Sequence, residues 1–255
     1  MLSRFRKAKA AEIAALREQS AQGTLPPVWY GHRPSFAARL RSRGPGALIA
    51  EYKRASPSLG DINLELGPRN AARIFAENGA AAMSVLTEEV HFKGSLDYLG
   101  SCAGEALPLL RKDFLFDPLQ VDATAATPAS AYLLVVRMFG GSEELREMID
   151  QGRRYNLDAV VEIFDERDLA LAREAGAEII QVNARDLDTL EIDQDNVRRL
   201  ISLGRPGEVW IAASGVSDPE QVREAAERGY DAVLVGTAIM RSDDPGMMVR
   251  TLAEA

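Results

Sequence analysis

The 255-residue chain has one cysteine (Cys102), two histidines (His32 and His91) and only five lysines among its 30 basic residues. A single cysteine excludes an internal disulfide, and so few His and Cys residues cannot assemble a zinc site or ligate an iron–sulfur cluster. A carboxylate site for a hard cation stays open but has no motif to support it, and neither a metal nor another cofactor is expected. Long apolar runs are missing too, and none approaches the roughly 18 to 20 residues of a membrane span. The opening segment MLSRFRKAKAAEIAALREQ has no continuous apolar stretch of the kind a secretory signal needs. A cytoplasmic protein with no membrane partner is expected. A net charge of −8 argues against nonspecific nucleic-acid binding, which draws on a basic surface. Any anionic ligand must therefore meet positive charge concentrated locally.

What is present is ordinary for a globular protein: 46% hydrophobic and 27% charged residues, with length enough for one full core. Arginine serves almost everywhere a cation is used, which makes the lysines informative. Lys7 and Lys9 lie in the N-terminal segment, leaving Lys53, Lys93 and Lys112 for the rest. Lysine is the compact cation whose pKa moves on burial, and so the better proton donor.

From residue 47 a pattern repeats. Short apolar runs recur at 47–53, 81–87, 107–113, 131–136, 158–164, 177–183, 208–214 and 231–236. Their continuous apolar character is that of parallel strands buried on both faces. Helical segments separate them, for example at 142–156, 165–176 and 218–229, and the last two start at Asp165 and Asp218 and stop at Gly176 and Gly229. Eight units of about 26 residues each predict an α/β fold, a (β/α)₈ TIM barrel over 47–255. An open doubly wound sheet is disfavoured because no G-x-G-x-x-G follows the first strand. Residues 1–46 read as an N-terminal helical extension, a cap belonging to the same domain, broken by the irregular GTLPPVWYGHRPSF.

Chemistry in such a barrel gathers where the strands end, because the βα loops converge there. Those ends carry Glu51 and Lys53, Thr87 and Glu88, Lys112 and Asp113, Arg137, Glu162, Asn183 and Arg185, Ser214 and Gly215, and Gly236 and Thr237. Each taken singly reads as well as a loop ion pair or helix cap. Their coincidence at the ends of successive strands points to one site. Loops after the seventh and eighth strands commonly hold phosphate on backbone N–H groups, and here they are ASGVS (213–217) and GTAIM (236–240).

The blocks EYKRASPSLGDIN (51–63), SVLTEEVHFKGSLDYL (84–99), LRKDFLFDPLQV (110–121), VEIFDERDL (161–169), VNARDLDTLEID (182–193) and ASGVSDPEQV (213–222) closely resemble the indole-3-glycerol phosphate synthase family of tryptophan biosynthesis. The resemblance implies a carboxy-lyase that closes the ring of 1-(2-carboxyphenylamino)-1-deoxyribulose 5-phosphate with loss of carbon dioxide and water. It implies Lys112 as general acid, Lys53 as partner of the substrate carboxylate with Glu51 beside it, Glu162 as base of the dehydration, and Asn183 as hydrogen-bond donor to a substrate oxygen. Ser56, Arg185, Ser214, Gly215, Gly236 and Thr237 match substrate and phosphate positions, and Phe92, Phe114 and Leu133 would form the slot for the anthranilate ring. The expected partner is this phosphorylated small molecule, and the expected state a monomer or weak homo-oligomer.

Two positions depart from the family pattern. Ala213 stands where E-S-G usually begins, and Gln181 where G-I-N does. The Gln181 amide is expected to fill the space left at Ala213, from the neighbouring strand. The changed pair also keeps open a paralogous lyase or isomerase acting on a related aryl-amino sugar phosphate, and a noncatalytic phosphosugar-binding protein. With lysines available to supply positive charge and no nitrogen or sulfur ligand set, turnover is expected to survive exhaustive chelation. A reversible loss in EDTA, restored by Mg²⁺ or Zn²⁺, would contradict that reading.

Overall fold

The structure, a computed structural model, describes residues 2–185 and 192–255. The part of the VNARDLDTLEID block at 186–191 lies outside the described residues. All eight expected strands form, trimmed at their ends: β1 (Ala47–Tyr52), β2 (Ala82–Leu86), β3 (Leu109–Lys112), β4 (Ala131–Val135), β5 (Asp158–Ile163), β6 (Ile179–Asn183), β7 (Val209–Ala213) and β8 (Ala232–Val235). Each pairs in parallel with the next, and β8 returns to β1, closing the barrel. The remaining two-stranded piece, Ala55–Ser56 with Gly60–Asp61, is a small antiparallel hairpin at the end of β1. The (β/α)₈ assignment stands, and solved barrels of the same fold match it, as described below.

Helix boundaries follow the expected punctuation. Asp165 accepts a hydrogen bond from Asp168 N at 2.8 Å and starts helix Glu166–Glu174. Asp218 does the same from Gln221 N at 3.0 Å for helix Pro219–Glu227. Gly176 and Gly229 take φ of +87° and +100°, left-handed geometry that a side chain would strain, and so stop the two helices. Cys102 is buried among apolar neighbours, and that burial pushes its thiol up to about 12. Among the described residues no helix is long and apolar enough to cross a membrane.

The N-terminal extension packs against both ends of the barrel. Helix α2 (Phe36–Arg43) lies beneath it: Ala37 N donates to Asp158 Oδ2 at 3.1 Å, and Arg39 and Arg41 donate to the carbonyls of Ala106 and Gly207, ahead of β3 and β7. Phe36 and Leu40 are fully buried in one apolar cluster with Ala47, Ala82, Ala131 and Ala232. These four alanines are the first residues of their strands, and their small side chains leave the floor of the barrel open to Phe36 and Leu40.

Helix α1 (Leu2–Gln22) runs up the side, and charge as well as apolar contact holds it there. In β3, Lys112 faces the barrel interior, so alternation turns Arg111 outward, and Asp113 just past the strand faces the same way. Both are buried. Arg111 donates to Glu12 Oε1 at 2.9 Å, Asp113 Oδ2 at 3.1 Å, Gln120 O at 2.9 Å and Thr124 Oγ1 at 3.0 Å. Asp113 also accepts from Lys9 Nζ at 2.8 Å and Thr87 Oγ1 at 2.6 Å, and Lys9 pairs with Glu12. Burial alone would raise the Asp113 pKa, but Arg111, Lys9 and the Thr87 hydroxyl outweigh it and hold the carboxyl below the usual carboxylate range. A depressed folded-state pKa means that this contribution to stability is present at neutral pH and is lost as the pH falls through the folded value.

Arg111→Met keeps most of the volume but leaves Asp113 and Glu12 short of their main partner. It is expected to lower the unfolding free energy by about 3 to 5 kcal/mol, measured by urea denaturation at pH 7. A loss below about 1 kcal/mol would show that the cluster contributes little.

Candidate active site

At the C-terminal ends of the strands a cavity of about 490 Å³ opens. Most positions named from the sequence line it: Glu51, Lys53, Ser56, Phe92, Lys112, Asp113, Phe114, Leu133, Glu162, Asn183, Arg185, Ala213, Ser214, Gly215, Gly236 and Thr237. Gln181 does not, and neither do Thr87, which donates to Asp113, Glu88, which caps the helix Glu89–Phe92, and Arg137, which pairs with Asp165 and Asp168. Lys93, the third lysine of the barrel, is elsewhere, paired with Asp61 of the hairpin.

Two lysine–carboxylate pairs form the polar wall. Lys53 Nζ lies 3.0 Å from Glu51 Oε1, and Lys112 Nζ lies 3.9 Å from Glu162 Oε2. Both carboxylates are nearly inaccessible while both ammonium groups keep some exposure to the cavity. The acceptors are thus fixed in the wall and the donors face the space where a ligand would lie. Burial would raise the pKa of Glu51, but Lys53 and Lys112, with hydrogen bonds from Lys53 and Ser84, hold it below the ordinary value. Gly236 is required beside it, since a Cβ there would come within 2.4 Å of Glu51 Oε1.

Opposite is an apolar wall that the sequence showed only in part. Phe114 stacks on Phe5 of α1 with ring centroids 3.8 Å apart, and Phe92 is tilted 6.3 Å from both. Leu133, Leu86 and Leu234 continue the surface. Phe5 was legible only as one apolar residue of a helical stripe. Arg241, which also lines the cavity, carried no signal beyond its place after β8.

Asn183 and Ser214 are tied together across β6 and β7. Ser214 Oγ donates to Asn183 Oδ1 at 2.7 Å, and Arg185 N donates to the same oxygen at 3.0 Å. Ser214 has φ +69°, left-handed for a residue with a side chain, and Gly215 follows at +77°. The Gly215 turn is closed by protein as well: a Cβ there would lie 2.2 Å from Gln194 Nε2.

The expectation for Gln181 needs correcting. Strand register pairs Asn183 with Ala213, and Gln181 with Ile211 on one side and Glu162 on the other. Gln181 thus sits one inward-facing position deeper than Ala213. Its side chain turns to β5, where Nε2 donates to Glu162 Oε2 at 2.5 Å, and Ala213 is left bare at the cavity wall.

A sequence profile of the family described as Indole-3-glycerol phosphate synthase matches residues 2–252. The chain belongs to that family. A relative of this name from Mycobacterium ulcerans is 43% identical over 250 residues, covering 97% of this chain and 89% of the relative. One from Desulfosudis oleivorans is 37% identical over 259 residues, covering 99% and 98%. Among solved structures, 3-hexulose-6-phosphate synthase from Salmonella typhimurium superposes with a TM-score of 0.64 at 17% identity, over 82% of this chain and 97% of that one. Thiamine phosphate pyrophosphorylase from Pyrococcus furiosus gives 0.62 at 14% identity, over 84% and 96%. At these identities the two structures establish the barrel fold and nothing finer.

Within this family member, the left-handed Ser214 gives a direct test of what its hydroxyl does. Ser214→Ala removes the hydrogen bond and keeps the backbone strain, so a loss of about 1 to 2 kcal/mol is expected in thermal or urea unfolding. Ser214→Gly removes both and should be the more stable of the two variants by about 1 kcal/mol. The reverse order would show that the turn is not strained by its side chain.

Proposed function

We propose that the protein is an indole-3-glycerol phosphate synthase that converts 1-(2-carboxyphenylamino)-1-deoxyribulose 5-phosphate, with loss of carbon dioxide and water, into indole-3-glycerol phosphate. One observation carries the reading: Lys112 and Glu162 face each other within one cavity whose other walls offer a stack of aromatic rings and several further cations. The anthranilate ring would lie against Phe114, Phe92 and Leu133, with Phe5 closing the slot. Lys53 would hold the ring carboxylate and Glu51 would hold Lys53, keeping the reacting carbons together. The phosphate would lie towards Ser56, Arg185, Ser214 and the backbone of Gly215, Gly236 and Thr237.

In the first step the ring carbon that bears the carboxylate attacks the ribulose carbonyl carbon, and the new carbon–carbon bond puts negative charge on the carbonyl oxygen. Lys112 gives that oxygen a proton as the charge develops. Loss of carbon dioxide returns the electron pair to the ring. Dehydration then removes the new hydroxyl as water: Glu162 takes a proton from the substrate, the Lys53 ammonium, released once the carboxylate has left, gives one to the departing hydroxyl, and Asn183 steadies a substrate oxygen.

The reading carries with it a cytoplasmic enzyme, a monomer or weak homo-oligomer, in which residues 1–46 work as part of the barrel's own domain. Support for the last point comes from α1, which brings Phe5 to the cavity. Ala213, which leaves the wall without the family's carboxylate, is the one observation that favours a paralogue acting on a related aryl-amino sugar phosphate.

The test is purified protein with the carboxyphenylamino-deoxyribulose phosphate, followed by indole fluorescence. Turnover is expected, and its absence from a folded wild-type protein would favour the paralogue. Lys112→Arg keeps the charge but is a far poorer proton donor, and should cost more than about a hundredfold in kcat. A variant within about threefold of wild type would remove Lys112 from that role.

A further inference from the structure

Gln181 does not line the cavity, yet it touches a group that does. Its side chain is fully buried, Nε2 donates to Glu162 Oε2, and Oε1 has no hydrogen-bond partner. An amide buried in this way leaves its carbonyl unsatisfied, which is costly. The opposite orientation would direct that carbonyl at Glu162 and suit a protonated acid. The orientation found is the one that a charged carboxylate selects, because only a carboxylate turns the N–H bond into a charge-assisted one.

The oxygen that accepts from Gln181 is also the one that lies 3.9 Å from Lys112 Nζ. The amide therefore fixes the rotation of the carboxylate. No other neutral group around Glu162 does so. The neighbouring strand β4 presents Leu133 and Val135, β6 on the other side adds Asn183, which is engaged with Ser214, and β7 beyond it presents Ile211 and Ala213. The remaining charged groups at the cavity are Glu51 on β1, Lys53 just past it, Asp113 after β3, whose carboxylate is turned outward to Lys9 and Arg111, Arg185 after β6 and Arg241 after β8. Gln181 alone among the described neighbours is neutral and within hydrogen-bond reach of Glu162.

We propose that Gln181 is a positioning residue for Glu162, holding its carboxylate turned towards Lys112 so that it can take the proton of the dehydration step. The role rests on the synthase reading for its catalytic meaning and on the hydrogen bond alone for its geometry. Ala213 gives it a reason: with no second carboxylate on that wall, proton acceptance falls to Glu162, and a neutral amide holds it without adding charge.

The two layers can be tested apart. The ¹³C carboxyl signal of Glu162 at pH 7, in free protein labelled with ¹³C-glutamate and identified by its loss in Glu162→Gln, reads the hydrogen bond without any turnover. Gln181→Met, of similar length and lacking the donor, should move that signal. In the indole assay kcat should fall about tenfold, with KM within about twofold because the side chain does not touch the cavity. Should Gln181→Met fail to fold, Gln181→Glu keeps the shape, replaces the donor by a second carboxylate, and must move the signal and lower kcat in the same way. An unmoved Glu162 signal overturns the proposal, as does a moved signal with unchanged kcat. Wild type that makes no indole product while the signal moves as expected would count against the synthase reading and leave the hydrogen bond standing.

Discussion

The buried charges at the end of β3 govern how this molecule is put together. Alternation along a strand allows Lys112 to face the barrel only if Arg111 and Asp113 face away, into the space between the barrel and its outer layer. Two charges there are tolerable only when paired and fully hydrogen bonded. Thr87, Gln120 and Thr124 supply part of what they need from the barrel itself, and Lys9 and Glu12 supply the rest from α1. The extension must therefore dock at one height and one rotation. Phe5, Lys9, Glu12 and Leu16 recur at intervals of three and four, so they share one helix face, and docking the ion pairs delivers Phe5 to the mouth of the cavity one turn earlier. The group expected to donate the proton and the wall expected to hold the ring are thus set by one cluster.

Within the cavity the charges alternate around the rim. Each lysine has a carboxylate of its own, so the pairs sum to zero before any ligand arrives, and Arg241 adds a local excess of positive charge. That excess is what a doubly anionic ligand needs on a chain whose net charge is −8. Water displaced by the stacked aromatic wall would lower the local dielectric and strengthen every one of these interactions.

Most of the barrel was legible because strand periodicity, Asp starts and Gly stops are local signals. The position of each residue at a strand end then followed from the fold, which is why residues as far apart as Glu51 and Thr237 could be assigned to one cavity. What stayed hidden is long-range. Lys9 pairs with Asp113 across 104 positions, and a polar residue in a helical stripe reads as solvent-facing until its partner is known. Phe5, likewise, is only one apolar residue of a helix until the fold brings it to the cavity. Gln181 was read for its size, which pointed to the gap at Ala213, while its donor, which finds Glu162, depends on a strand register that the sequence does not display.

The two departures from the family pattern also make sense as a change in charge rather than in volume. A carboxylate at 213 would add a negative charge to a wall that receives an anionic ligand, and alanine removes that repulsion. It also removes a proton acceptor, which leaves the remaining inward carboxylates with more to do. Glu51 is already committed to Lys53 and lies against Gly236, with no free rotation. Glu162 has only a loose contact with Lys112, and without another partner its carboxylate would be free to turn away. A glycine at 181 could not prevent that. A glutamine can, and it does so one position below the cavity, where it leaves the space for the ligand untouched.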